Sequence, residues 1–389
     1  MKIALVHKRL DLRGGTERVF YRTAEGLLDR GHEIHLFCQQ FRIPPPPGVW
    51  AHRVPGFTRP RSVRVLTFAM IAPKVIAKHN CDVVMSFDRI LTQDTFRTGG
   101  GPRKILLEKM KKHRGLVRRL WYSIGLYNYL AVRIENLQVR GNQGSKIIAV
   151  SEQTKREFME LYDIPDEQIV VIHNGVDTVR FNPQRRLNEG KKLREYLNIP
   201  SAAPVVLFVG TGLRRKGLHR LLGLWERNEM PGVYLLVVGH DKRLPYYQER
   251  WSGHKKVIFS GPQEKVEDYY ACANLLVLPA IQEAFGNVIL EAMASGLPVI
   301  TVGGVGAMDH VDGALTDGIL SNPDDPAELK TKISQMLDRS RWSLLSRKAR
   351  ETAKKCTWDN YLDRVEQMLR ECSKQSSATS PPRPSLAGV

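Results

Sequence analysis

Short, continuous apolar runs alternate along the chain with segments of helical spacing. The first run, Lys2–His7 (KIALVH), is followed by Thr16–Asp29, in which apolar side chains recur on one helical face. Further runs in the first half are Glu33–Cys38, Asp82–Phe87, Lys146–Val150 and Gln168–His173. Runs of this kind are typical of strands buried on both faces of a parallel sheet.

The alternation starts again in the second half. Val205–Val209 (VVLFV) opens this series, and a helix is predicted near Gly217–Glu226. The remaining runs are Tyr234–Val238, Lys256–Phe259, Leu275–Leu278 and Val299–Val302. Two successive series predict an α/β protein built from two Rossmann-like domains that face each other across a cleft.

Turn formers and composition set the expected domain boundaries. The first domain is placed at residues 1–176 and the second at 177–356, with a linker near Asn174–Pro183. A helix at 357–372 is expected to pack back on the first domain. Residues 373–389, rich in Ser and Pro, are predicted to form a disordered tail.

Charge and cysteine content narrow the class of protein. The net charge of +19 indicates an anionic partner, and the excess is larger in the first half of the 389 residues. No nucleic-acid-binding module is recognisable, so nucleic acid is not the expected partner. Five scattered cysteines without a CxxC pair indicate a reducing compartment. Since no signal-peptide pattern or membrane-spanning apolar run is found, we expect a cytoplasmic protein, soluble or peripheral.

The segment Pro279–Pro298 (PAIQEAFGNVILEAMASGLP) carries the strongest chemical signal. Its loop holds Glu283, a helix is expected to begin near Gly286, and Glu291 lies eight residues after Glu283. Free N–H groups at a helix start favour a diphosphate, and the carboxylates suit sugar hydroxyls and a ribose. Each glutamate alone is more simply a solvated charge, but the combined context favours a nucleotide-sugar site.

Two glycine-containing loops are weaker candidates for the same ligand. In Gly210–Gly217 (GTGLRRKG), Arg215 and Lys216 are expected at the start of a helix, where they would clamp two phosphates. Its spacing matches neither G-x-G-x-x-G nor the P-loop, and a solvated basic turn is the ordinary alternative. Gly14–Gly15, after the first strand, resembles an anion loop that would line the far side of the phosphates.

These segments together resemble a known family. Glu283–Glu291 (EAFGNVILE) is similar to the Glu-x7-Glu signature of the retaining glycosyltransferases of family 4. Val209–Gly217 (VGTGLRRKG), the Gly-Gly loop, Ala149–Glu152 (AVSE) and His173–Asp177 (HNGVD) resemble family motifs in the same order. The resemblance covers residues 1 to about 372 and implies the GT-B fold, with an N-terminal acceptor domain and a C-terminal nucleotide-sugar domain.

Within the family, the chain looks most like the lipopolysaccharide core glucosyltransferases. The stretches that carry this resemblance are QEAFGNVILEAMASGLPVIT, VVGHDK and SFDRILTQD. It implies transfer of a hexose, with glucose from UDP-glucose expected, to a lipid-linked anionic saccharide, the heptose inner core of lipopolysaccharide. The implied place is the cytoplasmic face of the inner membrane.

The resemblance also implies a role for each matching residue. Glu283 would contact the donor sugar and Glu291 the ribose, while the cations Arg215 and Lys216 would hold the diphosphate. The other residues expected to bind the donor are Gly14, Gly15, Ala284, Phe285, Gly286 and Asn287. Asp94 matches an acidic residue near the acceptor. Val19 stands where these enzymes carry another, with Glu17 nearby.

The implied mechanism is front-face displacement, in which the leaving phosphate accepts the acceptor proton and no carboxylate acts as nucleophile. The catalytic base remains open, because His79 and His113 only flank the segment where many family members carry a histidine. No cofactor is expected, and no metal, because the two cations would neutralise the diphosphate and no Asp/His cluster indicates a metal site.

A basic, aromatic-rich segment suggests contact with a membrane. Residues 101–119 hold eight Lys and Arg against one Glu, and the next residues interleave Trp and Tyr with Leu and Ile. Such a segment, at 103–130, predicts binding to an anionic membrane surface. A core helix with one solvated basic face is the alternative.

Other functions stay open at this stage. They are another family 4 transferase with a different donor or acceptor, a nucleotide-sugar 2-epimerase of the same fold, and a basic protein that binds without catalysis. Epimerisation of a nucleotide sugar without an acceptor would identify the second. Salt-sensitive nucleic-acid binding without nucleotide-sugar affinity would identify the third.

Overall fold

A computed structural model describes residues 1–12, 14–112, 125–141 and 144–379 of the chain. It divides into two compact units. The first unit contains Met1–Ile172 together with the chain from Tyr361, and the second contains His173–Asn360. Each unit is built on one parallel sheet with helices in its crossover connections, so the two Rossmann-like halves expected from the sequence are confirmed.

The first sheet has seven parallel strands in the order β5-β3-β1-β6-β7-β8-β9. Its strands are β1 Lys2–Val6, β3 Glu33–Cys38, β5 Trp50–Arg53, β6 Val83–Ser86, β7 Thr95–Arg97, β8 Lys146–Ala149 and β9 Ile169–Val171. Two short strands, β2 Arg9–Leu10 and β4 Gln40–Phe41, pair with each other beside it. The central β1 is apolar and buried from Ile3 to Val6, as a strand covered on both faces requires.

The second sheet has six parallel strands in the order β12-β11-β10-β13-β14-β15. Its strands are β10 Val205–Val209, β11 Tyr234–Val238, β12 Val257–Gly261, β13 Leu275–Leu278, β14 Val299–Val302 and β15 Ile319–Leu320. Every residue of β10 and β13 is buried, because these two strands lie at the centre of the sheet.

Helices fill most of the connections. In the first unit they are Gly15–Asp29, Arg61–Ile76, Arg103–Lys112, Leu126–Arg140 and Glu152–Tyr162. In the second they are Glu189–Tyr196, Leu218–Glu226, Leu244–Arg250, Val266–Cys272, Asn287–Ala294, Pro326–Met336 and Arg339–Lys354. Short 3₁₀-helices occur at Ala77–His79, Asp166–Gln168, Pro183–Leu187, Gly306–Met308 and Gly313–Gly318. A last helix, Trp358–Thr379, includes the boundary between the units.

The predicted strands agree with the structure to within one or two residues at each end, but β2, β4, β5, β7 and β15 were not predicted. β2, β4 and β15 have only two residues each. β5 (WAHR) has three exposed residues and one half-buried residue at the edge of its sheet, so it lacks a continuous buried apolar run. β7 has three residues, Thr95–Arg97, one of them a buried arginine. Apolar periodicity does not detect strands of either kind.

The predicted start of the disordered tail at Ser373 is corrected, because the last helix continues to Thr379. Buried side chains recur along this helix at helical spacing as far as Cys372. No proline interrupts the chain until Pro381, so the helix can extend beyond its buried face. The rest of the predicted tail, residues 380–389, lies outside the described residues.

From Tyr361 onward, the last helix packs on other elements of the first unit. The Tyr361 hydroxyl forms a hydrogen bond with Thr23 Oγ1 over 2.9 Å. Leu362 packs against Gly26 so closely that a Cβ at position 26 would lie 2.3 Å from Leu362 Cδ1. Glu366 accepts a hydrogen bond from Arg30 at 3.0 Å. Buried apolar contact and an ion pair therefore hold the helix in place.

Glu366→Gln is expected to lower the melting temperature at pH 7, and the difference from the parent should shrink in acid. Hydrogen bonds from Arg370, Arg30 and His32 lower the pKa of Glu366 to about 2. A carboxyl group with a lowered pKa stabilises the fold above its unfolded pKa, about 4.3, and that contribution is lost as pH falls toward about 2. Thermal melts between pH 7 and pH 2 measure this. The exposed Glu351→Gln is the control, and a gap that stays constant with pH would contradict the assignment.

Among the residues that the structure describes, no helix combines the length and apolar character needed to cross a membrane.

Candidate functional site

The order of the second sheet reverses between β10 and β13. Successive strands after β10 are added on one side of it, and β13 to β15 lie on the other. The connections that follow two such strands leave in opposite directions and open a crevice at the carboxyl edge of the sheet, where ligands of α/β folds bind. The loops after β10 and β13 carry Lys216 and Glu283, two of the candidates from the sequence.

The loop after β10 positions Lys216. Gly210, with φ +156°, turns the chain away from the strand. A Cβ at this position would lie 2.4 Å from Cδ of Lys216, so the lysine stem runs against the glycine. Asp241 holds the loop by accepting a hydrogen bond from the Leu213 N–H at 2.9 Å. Lys216 is only 8% exposed, so its ammonium group is held in a fixed place.

The loop after β13 brings Glu283 to Lys216. The Lys216 Nζ and Glu283 Oε2 atoms form an ion pair at 3.4 Å. This Oε2 is buried and has no hydrogen-bond partner within the described part of the chain. A buried carboxylate oxygen without a donor is costly, so the position favours a ligand that supplies a hydroxyl or N–H group.

The helix Asn287–Ala294 begins directly after this loop. Its N-cap is Gly286, with φ +79°, a left-handed conformation that favours glycine. No side chain caps the helix. The loop itself is fixed, because the N–H groups of Gly306 and Ala307 donate to the carbonyl oxygens of Ala284 and Phe285 at 3.0 and 2.8 Å. The structure thus supplies the expected uncapped helix start, a place where anions bind.

Glu291 lies on this helix, about one turn after its start. Its Oε2 accepts a hydrogen bond from the Tyr270 hydroxyl at 2.8 Å, which orients the half-buried carboxylate. The Asn287 side chain accepts a hydrogen bond from Asn174 at 2.7 Å. Asn174 belongs to the HNGVD segment, so this segment braces the helix start.

Arg215 and Lys216 differ in environment, although the sequence grouped them. Both lie in the loop before the helix Leu218–Glu226. Arg215 is exposed, and its guanidinium reaches the Gln282 carbonyl oxygen at 3.4 Å. Lys216 is therefore the fixed cation of the site, and Arg215 is the adaptable one.

His173 lies beside the loop that follows β13, and the sequence analysis assigns it no role. Its Nε2 lies 2.8 Å from Asp309 Oδ2, and its Nδ1 lies 3.2 Å from His310 Nε2. Its ring centroid is 6.2 Å from that of the buried Phe285. The only sequence signal was the position of His173 in the HNGVD segment.

The first unit contains a cavity of about 240 Å³ at its own point of strand reversal, between β1 and β6. Charged side chains of both signs line it. They are Lys8, Glu17, Asp88, Arg89, Arg103 and Glu135. Acceptors and donors placed together at the carboxyl edge of a sheet suit a polyhydroxylated or phosphorylated ligand.

Asp88 is the most strongly perturbed of these groups. Lys8 Nζ donates to its Oδ2 at 2.7 Å. Burial opposes its ionisation, but the charges of Lys8, His7 and Arg89 outweigh burial and hold the pKa of Asp88 well below its usual value. Asp88 is therefore ionised near neutral pH and is a weak proton acceptor.

Glu135 and Arg89 form a second pair on the cavity wall. The Arg89 guanidinium donates to Glu135 Oε2 at 2.6 Å, and the Tyr162 hydroxyl donates to Oε1 at 2.7 Å. The Arg103 N–H also donates to Oε1 at 2.7 Å, which holds the start of the basic helix Arg103–Lys112. With three donors bound, Glu135 fixes the wall of the cavity.

Gly14 and Gly15 lie at the start of the helix Gly15–Asp29, and Gly14 is its N-cap. The Glu17 carboxylate packs over the Gly14 backbone and pairs with Arg9 at 3.3 Å. An acidic side chain thus lies at the helix start where a phosphate was expected.

The structure does not bring Asp94 to the cavity. Asp94 precedes β7, and its Oδ2 accepts a hydrogen bond from the Val84 N–H at 2.8 Å, near the amino end of β6. Asp88, six residues earlier in the SFDRILTQD stretch, follows β6 and lines the cavity. Sequence reasoning missed Asp88, although its place just after a predicted strand was a usable signal.

Asp88→Asn is expected to destabilise the protein by roughly 1 kcal/mol, because the partly exposed Lys8 loses its partner but can be resolvated. Chemical denaturation gives the free energy of unfolding. Glu160→Gln, on an exposed position of the helix Glu152–Tyr162, is the control and should change little. Equal stability of the two variants would contradict a structural contribution from the Lys8–Asp88 ion pair.

Two family profiles match the chain. The profile described as Glycosyltransferase Family 4 matches residues 13–180, and the one described as Glycosyl transferases group 1 matches residues 203–339. Together with the two parallel sheets, these matches identify the protein as a family 4 glycosyltransferase with the GT-B fold.

Individual relatives cover nearly all of the chain. An uncharacterized glycosyltransferase of Methanocaldococcus jannaschii is 26% identical over 378 residues, which are 92% of this chain and 95% of that protein. The lipopolysaccharide glucosyltransferase WaaG of Escherichia coli K12 is 24% identical over 332 residues, 84% of this chain and 87% of WaaG. A crystal structure of WaaG superposes with a TM-score of 0.79 at 21% identity and covers 94% of this chain and 99% of that chain.

Proposed function

We propose that the protein is a retaining glucosyltransferase that transfers glucose from UDP-glucose to a lipid-anchored anionic saccharide, the heptose inner core of a lipopolysaccharide. The observation that carries the proposal is the Lys216–Glu283 ion pair beside the helix start at Gly286. It combines a fixed cation with a carboxylate oxygen that can still accept a hydrogen bond. The similarity to WaaG supports the choice of glucose and acceptor.

On the donor side, the diphosphate would bind at the helix start and at Lys216, with Arg215 closing over it. Glu283 would accept a sugar hydroxyl, and Glu291, oriented by Tyr270, would face the ribose. Two cations and the helix start supply the positive charge that the departing diphosphate needs, so the proposal includes neither a metal nor a cofactor in this step.

On the acceptor side, the mixed-charge cavity of the first unit would bind the anionic saccharide. Its lysine and arginines suit phosphate or carboxylate groups, and its acidic residues suit hydroxyls. Asp88 would orient the attacking hydroxyl, and its low pKa makes it a poor base. This supports front-face displacement, in which the leaving diphosphate takes the proton.

The deciding experiment is a donor panel with the purified full-length chain. Nucleoside diphosphate release is measured with UDP-glucose, UDP-galactose, UDP-N-acetylglucosamine, ADP-glucose and GDP-mannose, with and without a lipopolysaccharide truncated after its heptoses. We expect acceptor-dependent release from UDP-glucose and an α-linked product by NMR. A β-linked product would contradict retention, and epimerised donor without acceptor would identify an epimerase instead.

We also propose that residues 103–130 lie against an anionic membrane, as a peripheral protein on the cytoplasmic face would require. Part of this segment, 113–124, lies outside the described residues. In the helix Leu126–Arg140, Leu126 is 61% exposed and Tyr129 is 59% exposed. Leu137 continues the same face at helical spacing and is exposed too. Exposed apolar side chains beside a basic helix support the proposal.

Leu126→Ser/Tyr129→Ser is expected to reduce sedimentation with anionic liposomes several-fold, because apolar insertion and lipid charge act together. The matched control is Tyr196→Ser, since Tyr196 is 79% exposed on a helix of the second unit. Neutralising Lys104, Lys111 and Lys112 tests the charge separately. Lys109 is left in place because it pairs with Glu157. Unchanged sedimentation of all variants would favour a solvated helix face instead.

A further inference from the structure

Three histidines that are far apart in the sequence meet at the edge of the first sheet. His35 lies on β3, His52 on the neighbouring edge strand β5, and His79 ends the 3₁₀-helix Ala77–His79. One ring nitrogen from each lies within 4.8 Å of the others. His35 is buried, whereas His52 and His79 are half-buried, so solvent reaches the cluster from one side.

Glu33 fixes the ring of His35. His35 Nε2 lies 2.8 Å from Glu33 Oε1. A carboxylate only accepts hydrogen bonds, so this nitrogen carries the proton and Nδ1 carries the lone pair. The lone pair points at His52, whose Nε2 lies 2.8 Å away. A carboxylate behind a histidine, with the free nitrogen facing other histidines, is the arrangement that orients metal-binding histidines.

We propose that His35, His52 and His79 form a binding site for a divalent transition metal, Zn²⁺ in particular, with water as the fourth ligand. Imidazole nitrogens are preferred zinc ligands at about 2.0–2.1 Å, which places neighbouring ligands about 3.3 Å apart. The His35–His52 separation of 2.8 Å must therefore widen slightly, and a rotation of the half-buried His52 ring achieves this. Because His35 Nδ1 carries the lone pair, the hydrogen between the two rings belongs to His52 Nε2. When the metal binds, that proton moves to Nδ1 of the same His52 ring, and the ring stays neutral.

Ring stacking is the competing explanation for the cluster. The His35 and His52 rings stack at 5.0 Å, and Trp50 stacks on His35 at 6.1 Å. Stacking alone needs neither the Glu33 contact nor the convergence of three nitrogens. The nearby ammonium of Lys2 is paired with Glu33 at 3.7 Å, so part of its repulsion toward a cation is offset.

Calorimetric titration of the untagged full-length chain with Zn²⁺ tests the proposal. We expect one ion per chain, and loss of this binding in His52→Gln and in His79→Gln. His219→Gln, an exposed histidine of the second unit, is the control and should bind as the parent does. Glu33→Gln should weaken binding about 10- to 100-fold, because it frees the His35 ring. Circular dichroism checks that each variant is folded.

Co²⁺ gives a second, spectroscopic measurement. It should show the strong visible absorption of a four-coordinate ion and quench the fluorescence of Trp50, which lies beside His35. Trp50→Phe should remove that quenching and keep the absorption. No saturable binding to the parent, or binding that is unchanged in both His52→Gln and His79→Gln, would overturn the proposal whatever the glycosyl-transfer activity.

Discussion

Glu283→Gln is expected to reduce kcat by about 100-fold or more and to leave the affinity for UDP nearly unchanged. Glutamine has the same shape, so it can keep the loop after β13 in place. What it loses is the charge that pairs with Lys216 and accepts a donor-sugar hydroxyl. Because the sugar is absent from UDP, binding of the nucleotide alone should not report the change.

Initial rates with UDP-glucose and calorimetry with UDP measure the two parts of this prediction. Glu264→Gln, an exposed loop position of the same unit, is the control. A wild-type kcat for Glu283→Gln would remove Glu283 from the catalytic site. A loss of UDP affinity equal to the loss of rate would instead make it a residue that only shapes the phosphate site.

Lys216→Met is expected to weaken UDP binding by about 10- to 100-fold, the usual contribution of a charge-assisted hydrogen bond. Methionine preserves the aliphatic stem that runs against Gly210, so the effect should come from the ammonium group. Arg215→Ala should lose less, since Arg215 is exposed and its placement is less constrained.

Arg214→Ala is the matched control, because Arg214 is an exposed neighbour of like charge. If Arg214→Ala and Lys216→Met weaken UDP binding equally, the effect is general electrostatic attraction and the clamp assignment is wrong. Repeating the titrations at high salt separates the two cases. Salt weakens the attraction between UDP and an exposed charge such as Arg214 much more than the attraction between UDP and the buried Lys216.

The architecture was predictable because parallel strands buried on both faces appear in the sequence as continuous apolar runs. β10 and β13 read as unbroken apolar runs, and their bounds agree with the prediction. The loop after β13 and the helix start that follows it were also predictable, since Glu283, Gly286 and Glu291 lie within one short segment. Local spacing suffices when a site is built from consecutive residues at the end of one strand.

The mixed-charge cavity of the first unit was less predictable. The family resemblance assigns the acidic residue near the acceptor to Asp94, whereas the aspartate that lines the cavity is Asp88. The difference depends on where β6 ends and β7 begins, and β7 is too short and too polar to show in the apolar pattern. A shift of six residues along the chain moves the carboxylate from the carboxyl end of β6 to a contact near its amino end.

The sequence by itself determined the class of protein, the two-unit α/β architecture and the segment that we propose binds the donor. Tertiary structure decided which cation is fixed at Glu283, which aspartate reaches the cavity, and that His35, His52 and His79 meet. The physical reason is the range of the interactions. Apolar runs and helix starts depend on residues that are neighbours in the sequence. Burial, pairing of charges and convergence of rings depend instead on strand order, which brings together positions that are far apart in the chain.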